Sequence, residues 1–460
     1  MKIWSKKFAA VLASSALALS AFGATNAEAA SKKKDSPKNI IFLIGDGMGN
    51  SYTSAYRYMQ NAPQQQFVKQ TKLDQYLVGQ QMTYPEDPAQ NVTDSASAAT
   101  AMSAGIKTYN NAIAVDNDKQ PVKTVLERAK ELGKATGLVA TSEITHATPA
   151  AFGSHDESRK NMDAIADDYF DELVGKKHKI DVLLGGGKSN FVRQDRDLTK
   201  EFEKAGFHYV TDKKALAKNK EDQLIGLFAD GGLDKMIDRK STTPSLRDMT
   251  TAALKQLKKD DDGFFLMIEG SQIDWAGHDN DIVAAMSEMK DFDAAFQKAV
   301  DYAKKDKNTL VIAAADHSTG GFSVAANGDY NWNPEALQAF SKTPDYLAAQ
   351  IAGGADVEQT LKQYIKLDLT TAEIDQVKEA ATTKKVTDID NAIEKIADSR
   401  SNTGWTTGGH TGEDVNVYAY GPQAEKFAGQ IDNTDQAKLV FELLEQNTKK
   451  KTKINDKKMN

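Results

Sequence analysis

The chain has 460 residues, a formal net charge of −7 and no cysteine. This acidic balance argues against nucleic acid as a partner, and the length suits one large α/β domain with insertions or two domains. Without disulfides, stability must come from a large hydrophobic core and from any bound metal ions.

The N-terminal segment has the pattern of an export signal. Three lysines within the first seven residues precede an apolar run from Phe8 to Phe22, and a small-residue site follows at Ala27 to Ala29. The run is too short to span a membrane as a stable helix. We predict a signal peptide over residues 1–29, no membrane span, and a mature domain over residues 30–460 that is secreted or associated with the cell wall.

Six apolar segments predict the strands of one sheet. Nearly continuous apolar runs are typical of central parallel strands that are covered on both faces. The strongest runs cover residues 39–45, 263–270 and 309–316, and weaker ones cover residues 136–142, 181–187 and 415–421.

Helical patterns lie between these strands. Residues 121–133 place Pro121 at a first helical position and Gly133 at the end, and their apolar residues recur at helical spacing along one face. Residues 244–259 show the same spacing of apolar residues. The alternation of strand and helix predicts a three-layer, doubly wound α/β fold, in which a mostly parallel central sheet is flanked by helices.

Two segments depart from this alternation. Residues 333–400 are polar and helix-prone, which predicts a helical insertion that covers one edge of the sheet. Residues 449–460 form a basic tail, which we expect to be a solvated and disordered end. Weak contact of this tail with an anionic cell wall is the alternative.

The stretch NVTDSASAATAMSAG, residues 91–105, allows two interpretations. In the first it is only a helix start, with Asp94 as the cap and Gly105 ending the helix in a left-handed conformation. In the second Ser95 is a nucleophile at the positive end of the helix dipole, where an anionic group binds. The stretch alone favours the first interpretation.

Candidate metal ligands collect where the strongest strands end, which is where ligands bind in open α/β sheets. The three strands end in carboxylates, at Asp46, Glu269 and Asp316. Asp and His together suit zinc, whereas carboxylates and hydroxyls suit magnesium. Further ligand types stand in strand-exit or glycine-rich loops, namely His146, Asp274, His278, His317 and His410. We interpret the other histidines as surface or hydrogen-bonding residues: His155, His178 and His208.

Six motifs make the chain resemble the bacterial (Bacillus-type) alkaline phosphatases over nearly the whole mature sequence. Their occurrence together in the order of that family is highly specific. They are FLIGDGMG (42–49), VTDSASAATAMSAG (92–105), HATPAAF (146–152) with Arg159 beyond it, IEGSQIDWAGH (268–278), AADHSTGGF (314–322) and GGHTGEDV (408–415).

The resemblance implies a phosphomonoesterase that forms a phosphoserine at a site with two Zn²⁺ and one Mg²⁺. Ser95 matches the nucleophile, and Arg159 matches the arginine that binds the phosphoryl oxygens. The implied ligands are Asp274, His278 and His410 for one zinc ion, Asp46, Asp316 and His317 for the second, and Asp46, Thr148 and Glu269 for the third ion. Small phosphate monoesters are the implied substrates, and both a monomer and a homodimer stay open.

Two residues beside the third ion and the phosphate depart from the enterobacterial pattern of this family. His146 stands where those enzymes carry Asp, and Trp275 stands where they carry Lys. One hypothesis is that both residues tune the site, making the third ion less selectively magnesium. The alternative is that His146 only hydrogen-bonds a metal-bound water and that Trp275 only packs over the rim.

Three other functions compete with this interpretation. A sulfatase needs a Cys/Ser-x-Pro-x-Arg pattern, and the nearest stretch, TTPSLR (242–247), has Thr at the reactive position and Leu where Arg is required. A phosphodiesterase or related hydrolase on the same scaffold is separated by comparing monoester with diester hydrolysis. A non-catalytic phosphate- or metal-binding protein would need neither Ser95 nor Arg159.

The glycines of DVLLGGGKSNF lack the nucleotide-binding spacing, so we assign residues 185–187 to a strand-end turn.

Overall fold

A computed structural model describes residues 36–63 and 67–459, with side chains up to residue 446. The predicted signal peptide therefore lies outside the described residues. The strands are β1 (Asn39–Gly45), β2 (Leu77–Met82), β3 (Ala135–Glu143), β4 (Leu173–Val174), β5 (Lys177–His178), β6 (Val182–Gly186), β7 (His208–Val210), β8 (Leu224–Leu227), β9 (Phe264–Gly270), β10 (Thr309–Ala315), β11 (Ser318–Thr319), β12 (Ser323–Val324), β13 (Thr403–Gly404), β14 (His410–Thr411), β15 (Val415–Tyr420) and β16 (Gly429–Asp432).

Ten of these strands form one sheet in the order β16-β2-β15-β10-β1-β9-β3-β6-β8-β7. Seven of the nine neighbouring pairs are parallel, and β15 is antiparallel to both of its neighbours. The mostly parallel sheet is thus confirmed. All six predicted strands are present, with ends that shift by at most one residue.

The helices are α1 (Asn50–Gln60), α2 (Ser95–Ala104), α3 (Val125–Glu131), α4 (Ala147–Gly153), α5 (Met162–Asp171), α6 (Lys188–Phe191), α7 (Leu198–Lys204), α8 (Lys213–Lys218), α9 (Leu246–Leu257), α10 (Gln272–Asp279), α11 (Ile282–Asp306), α12 (Pro334–Gln338), α13 (Pro344–Ala352), α14 (Val357–Tyr364), α15 (Thr371–Ala381), α16 (Val386–Ser401) and α17 (Asn433–Met459).

Both faces of the sheet are covered, as a three-layer fold requires. In β1 the side chains of Ile41 and Leu43 enter one core with α9 and α11, whereas Phe42 enters a second core with α3, α4 and α17. The two cores follow from strand geometry, because successive side chains point to opposite faces. Nearly continuous apolar runs therefore mark strands that are buried on both sides.

Helix α3 begins later than the sequence suggested. Pro121 is bridged to Val115 instead of opening the helix. Thr124 is the N-cap, and it forms a capping box with Glu127. Two reciprocal side-chain bonds satisfy free backbone donors, which outweighs the preference of proline for a first helical position.

The predicted helical segment 333–400 contains α12 to α16. Its main contacts are with α1 and α11 on one face of the molecule, so the expectation that it covers an edge of the sheet is wrong. Its apolar side chains, including Leu347 and Ile393, join the same core as α11. Two short antiparallel pairs, β11–β14 and β12–β13, close the base of this segment.

The backbone of the basic tail continues α17 as far as Met459, which differs from the disordered end that its composition suggested. Contact of the tail with a cell wall stays a prediction. Among the helices of the described ranges, none combines the length and the apolar character that crossing a membrane requires.

Candidate active site

Three central strands bring carboxylates to one edge of the sheet. Gly45 at the end of β1 is in register with Gly270 of β9 and with Ala315 of β10. Asp46 and Asp316 follow β1 and β10 directly, and Glu269 is the penultimate residue of β9. All three carboxylates are fully buried. Negative groups this close in a dry environment require positive charge or protons between them.

Helix α2 begins at Ser95 beside this edge. The Asp94 side chain accepts a hydrogen bond from the Ser97 amide, and Gly105 ends the helix at a φ of 76°, as predicted. Capping is therefore the task of Asp94, which leaves the Ser95 hydroxyl free for another role. The first turn directs backbone amides and the positive end of the helix dipole toward this edge.

The Ser95 hydroxyl is in contact with two predicted metal ligands. Its Oγ lies 3.1 Å from His317 Nε2 and 3.4 Å from Asp46 Oδ1. His317 Nε2 is also 3.4 Å from Asp46 Oδ1 and 3.2 Å from Asp316 Oδ2. Asp46, Asp316 and His317 therefore converge on one point next to the serine.

A second group forms around Asp274. Nε2 of His278 and Nε2 of His410 are 3.1 Å apart, and Asp274 oxygens lie 3.3 and 3.5 Å from them, respectively. The Nδ1 atoms face the carbonyl oxygens of Gly408 and Thr93, at 2.7 and 2.8 Å. A carbonyl only accepts, so each Nδ1 carries its hydrogen and the two Nε2 atoms face each other. Such an arrangement needs a proton or a metal cation between them.

Helix α4 contributes to a third group. Thr148 Oγ1, Asp46 Oδ2 and both oxygens of Glu269 are buried, lie close to one another, and have no hydrogen-bond partner with good geometry in the described ranges. His146 belongs to this group as well, because its ligand atom lies within 4.8 Å of those of Asp46 and Glu269. Unpaired buried oxygens are costly, and an oxygen-preferring cation would satisfy them together.

Arg159 connects the serine loop with the third group. Its guanidinium donates to Asp94 Oδ2 and to His146 Nε2, both at 3.0 Å. Trp275 stacks edge-on against His146, with ring centroids 5.7 Å apart. The predicted site residues are thus brought together from distant parts of the sequence.

Burial and mutual repulsion shift the proton affinities of the strand-exit carboxylates. Burial is the main cause that raises the pKa of Glu269 to about 8 and that of Asp316 to about 6. The pKa of Asp46 is also raised well above its ordinary value, by burial and by the charge of Asp316. All three groups favour a bound proton or a cation.

The histidines divide into two kinds. The hydrogen bond from His278 to Asp274 raises the pKa of His278 to about 9. In the metal-free chain a proton therefore lies between Nε2 of His278 and Nε2 of His410. Burial lowers the pKa of His317 and that of His410 to about 4, which keeps both imidazoles neutral. Neutral imidazoles are the form that binds metal ions.

Sequence reasoning missed Thr319. Its hydroxyl donates to Asp274 and lies 3.4 Å from His317 Nδ1, so it orients ligands of both groups. The only signal was its place in the motif AADHSTGGF. The pairing of β11 with β14 sets Thr319 opposite His410.

The histidines assigned to other roles behave as expected. His155 contacts the Ala114 carbonyl at 2.8 Å and Glu127 at 2.9 Å, and His178 Nδ1 contacts the Phe170 carbonyl at 3.0 Å. His208 is exposed. Of the predicted strand-end turn 185–187, only Gly187 lies after β6, with a φ of 88°, whereas Gly185 and Gly186 are the last two residues of the strand itself.

Comparison with known proteins identifies the family. The family profile described as Alkaline phosphatase matches residues 37–446. Alkaline phosphatase 3 of Bacillus subtilis (strain 168) is 66% identical over 99% of this chain and 100% of that protein. The chain belongs to the alkaline phosphatase family. The resemblance seen in the motifs and the enzyme class are thereby confirmed.

Solved alkaline phosphatases share the fold. The cold-active alkaline phosphatase of a psychrophilic Shewanella sp. has a TM-score of 0.83 and 40% identity, covering 88% of this chain and 99% of that one. A TAB5 alkaline phosphatase variant, in which one histidine is replaced by aspartate, has Mg bound in its M3 site. That structure has a TM-score of 0.65 and 32% identity, covering 90% and 99% of the two chains.

Proposed function

We propose that this alkaline phosphatase hydrolyses phosphate monoesters through a phosphoserine on Ser95, beside two zinc ions and a third ion. The observation that carries the proposal is the position of the Ser95 Oγ, 3.1 Å from His317 Nε2 at the start of α2. We further propose that residues 1–29 direct its export.

The three groups of ligands fit these ions. Mixed carboxylate and imidazole ligands suit zinc, which would be held by Asp274, His278 and His410 at one site and by Asp46, Asp316 and His317 at the other. The unpaired oxygens of Asp46, Thr148 and Glu269 suit magnesium. When bound, two such ions lower the cost of negative charge on the attacking and leaving oxygens and favour the ionised serine.

The residues of the chain account for the remaining steps. Ser95 Oγ attacks phosphorus, an Oγ–P bond forms, and the bond from phosphorus to the ester oxygen breaks, so that the alcohol leaves. Backbone amides at the start of α2 and the Arg159 guanidinium hold the phosphoryl oxygens. A water molecule then attacks the phosphoserine, which releases inorganic phosphate and restores the serine hydroxyl.

The proposal is tested by acid quenching during turnover of a labelled monoester, followed by peptide mass spectrometry and metal analysis. We expect label on Ser95 and about two zinc ions per chain. Label on another residue would identify a different nucleophile, and turnover without any trapped phosphate or zinc would overturn the mechanism.

Arg159→Ala should weaken phosphate binding without abolishing turnover. A lost charged hydrogen-bonding partner costs about 1.5 to 3 kcal/mol, or roughly 10- to 150-fold in affinity. The measurement is the inhibition constant of inorganic phosphate. Arg247→Ala is the matched control, because Arg247 is exposed on α9. An unchanged inhibition constant would contradict the role of Arg159.

His146 and Trp275 are proposed to tune the third site. While Arg159 donates to His146 Nε2, the hydrogen of the neutral imidazole is on Nδ1, which is buried without a partner in the described part of the chain. Burial lowers the pKa of His146 to about 3. This Nδ1–H can donate a hydrogen bond to a water molecule on the third ion. Direct binding of the ion by Nδ1 would require this hydrogen to leave the nitrogen first. In TAB5 alkaline phosphatase, a variant with aspartate in place of a histidine binds Mg in M3.

The double change His146→Asp with Trp275→Lys should strengthen magnesium activation and tighten phosphate inhibition. A carboxylate suits magnesium better than an imidazole does, and the lysine adds a cation that can hold phosphate through water. We expect phosphate inhibition to tighten by about 3- to 10-fold. The assay follows activity across magnesium concentrations for the parent, both single variants and the double variant. Identical curves would show that neither residue tunes the site.

A further inference from the structure

A second carboxylate cluster lies outside the active site, where the 333–400 segment meets α10 and α11. The ligand atoms of Asp279, Asp390 and Glu394 all lie within 4.8 Å of one another. Asp281 and Asp345 add negative charge close to them. The cluster therefore joins the ends of two helices that flank the active site to α13 and α16.

Two members of this cluster have unpaired oxygens. The side chains of Asp390 and Glu394 are only 3% and 5% exposed. Asp390 Oδ1 and Glu394 Oε1 nevertheless have no hydrogen-bond partner within the described ranges. No residue that the structure describes forms an ion pair with Asp279, Asp390 or Glu394. One carboxylate oxygen of each of the three residues lies within 4.8 Å of the others, and the Asp390 carboxyl group is also within hydrogen-bonding reach of Asp345, another carboxylate.

Positive charge in the neighbourhood is sparse. The positive charge of Lys235 partly counters the rise in the pKa of Asp279 and Asp281. Its ammonium group, however, lies 5.8 Å from the centre of the Trp275 ring and points toward the Gln272 carbonyl. Burial and the neighbouring negative charges raise the pKa of Asp390 to about 9 and that of Glu394 to about 11. The cluster holds either shared protons or a cation.

We propose that Asp279, Asp390 and Glu394, with Asp345 beside them, form a calcium site that is separate from the catalytic metal ions. All ligand atoms are carboxylate oxygens, which suits a hard cation and disfavours zinc. Calcium accepts six to eight oxygens in flexible geometry, whereas magnesium demands a near-ideal octahedron. Asp279 is exposed, which gives the ion a route from solvent.

This site would fasten the 333–400 segment to the helix that carries Asp274 and His278. Asp279 follows His278 directly in α10, whereas Asp390 and Glu394 are one turn apart on α16. A shared cation converts repulsion between these helices into attraction. The proposal does not depend on which ions occupy the catalytic groups.

The test uses protein saturated with zinc and magnesium and dialysed against about 1 mM Ca²⁺, a concentration at which weak oxygen-ligand sites fill. We expect about one Ca²⁺ per chain in the parent and in Glu379→Gln, a matched control that is exposed on α15. The double variant Asp390→Asn, Glu394→Gln should lose this ion. Asp279→Asn is a second variant at an exposed position, and it should weaken calcium binding without endangering the fold.

Thermal unfolding gives a readout that a merely structural role would not produce. Calcium should raise the Tm of the parent by about 2 °C but leave the Tm of the double variant unchanged. In calcium-free buffer the double variant should be at least as stable as the parent, because neutral amides remove the buried repulsion. Absence of bound calcium in the parent, or equal calcium in the parent and all variants, would show that the carboxyl groups share protons instead.

Discussion

Chelation of the metal ions should abolish phosphatase activity and lower the stability of the chain. The ligands come from distant segments, and their buried carboxylates repel one another without cations. Each ion that binds only the folded chain at 100 times its Kd stabilises it by about 2.7 kcal/mol. Activity and Tm are measured before and after dialysis against a chelator.

The loss of stability should depend on pH. Burial raises the pKa of Glu269 from 4.5 to about 8 in the metal-free chain. The folded chain then holds this proton more tightly than the unfolded chain, so the contribution is fully present below about pH 4.5 and is lost as the pH rises to about 8. The chelated protein should become progressively less stable over this interval, and the loaded protein should not.

Restoring zinc and magnesium to the chelated protein is the control, since it should recover both properties. Full activity in protein shown by metal analysis to be metal-free would contradict the assignment of the ligands. Equal pH dependence of stability with and without the ions would show that the Glu269 carboxyl group does not face a cation.

Ser95→Ala should lower kcat by about 10³-fold or more and remove the trapped phosphoserine. The fold and the metal content should survive, because Asp94 caps α2 and Ser95 contributes no ligand to our three groups. Some hydrolysis should persist, because a water molecule can still attack phosphorus beside Arg159 and the ions. Single-turnover kinetics and mass spectrometry provide the measurement.

Ser103→Ala is the matched control on the same helix. The hydroxyl of Ser103 donates to the Ala151 carbonyl and does not reach the ligand groups, so this change should leave kcat nearly unchanged. If Ser95→Ala retained parental kcat with normal metal content, the nucleophile would have to be another group.

The central part of the fold could be predicted because its physical signal is local. Strands such as β1 and β10 are buried on both faces, so that almost every residue in them is apolar. Strand β2 was missed because Gln80 and Gln81 interrupt its apolar pattern. The Gln81 side chain donates to the Ala315 carbonyl, a long-range partner that the sequence does not reveal.

The candidate site was predicted from motifs, but its connections were not. A strand-exit carboxylate such as Asp46 is visible in the sequence because it follows an apolar run directly. The hydrogen bond from Arg159 to His146 and the hydrogen bond from Thr319 to Asp274 depend on tertiary packing. The sequence indicated which residues carry ligand chemistry, whereas the contacts that orient them required the fold.

The two short ladders β11–β14 and β12–β13 bring residues that are about 80 to 90 positions apart in the sequence next to each other. Residues 325–402 leave and return at nearly the same point, and His317 and His410 stack with ring centroids only 3.6 Å apart. The cost of closing a loop grows slowly with its length. The length of the segment can therefore change while the imidazoles of His317 and His410 stay in place, provided that the apolar side chains packed against α11 are kept.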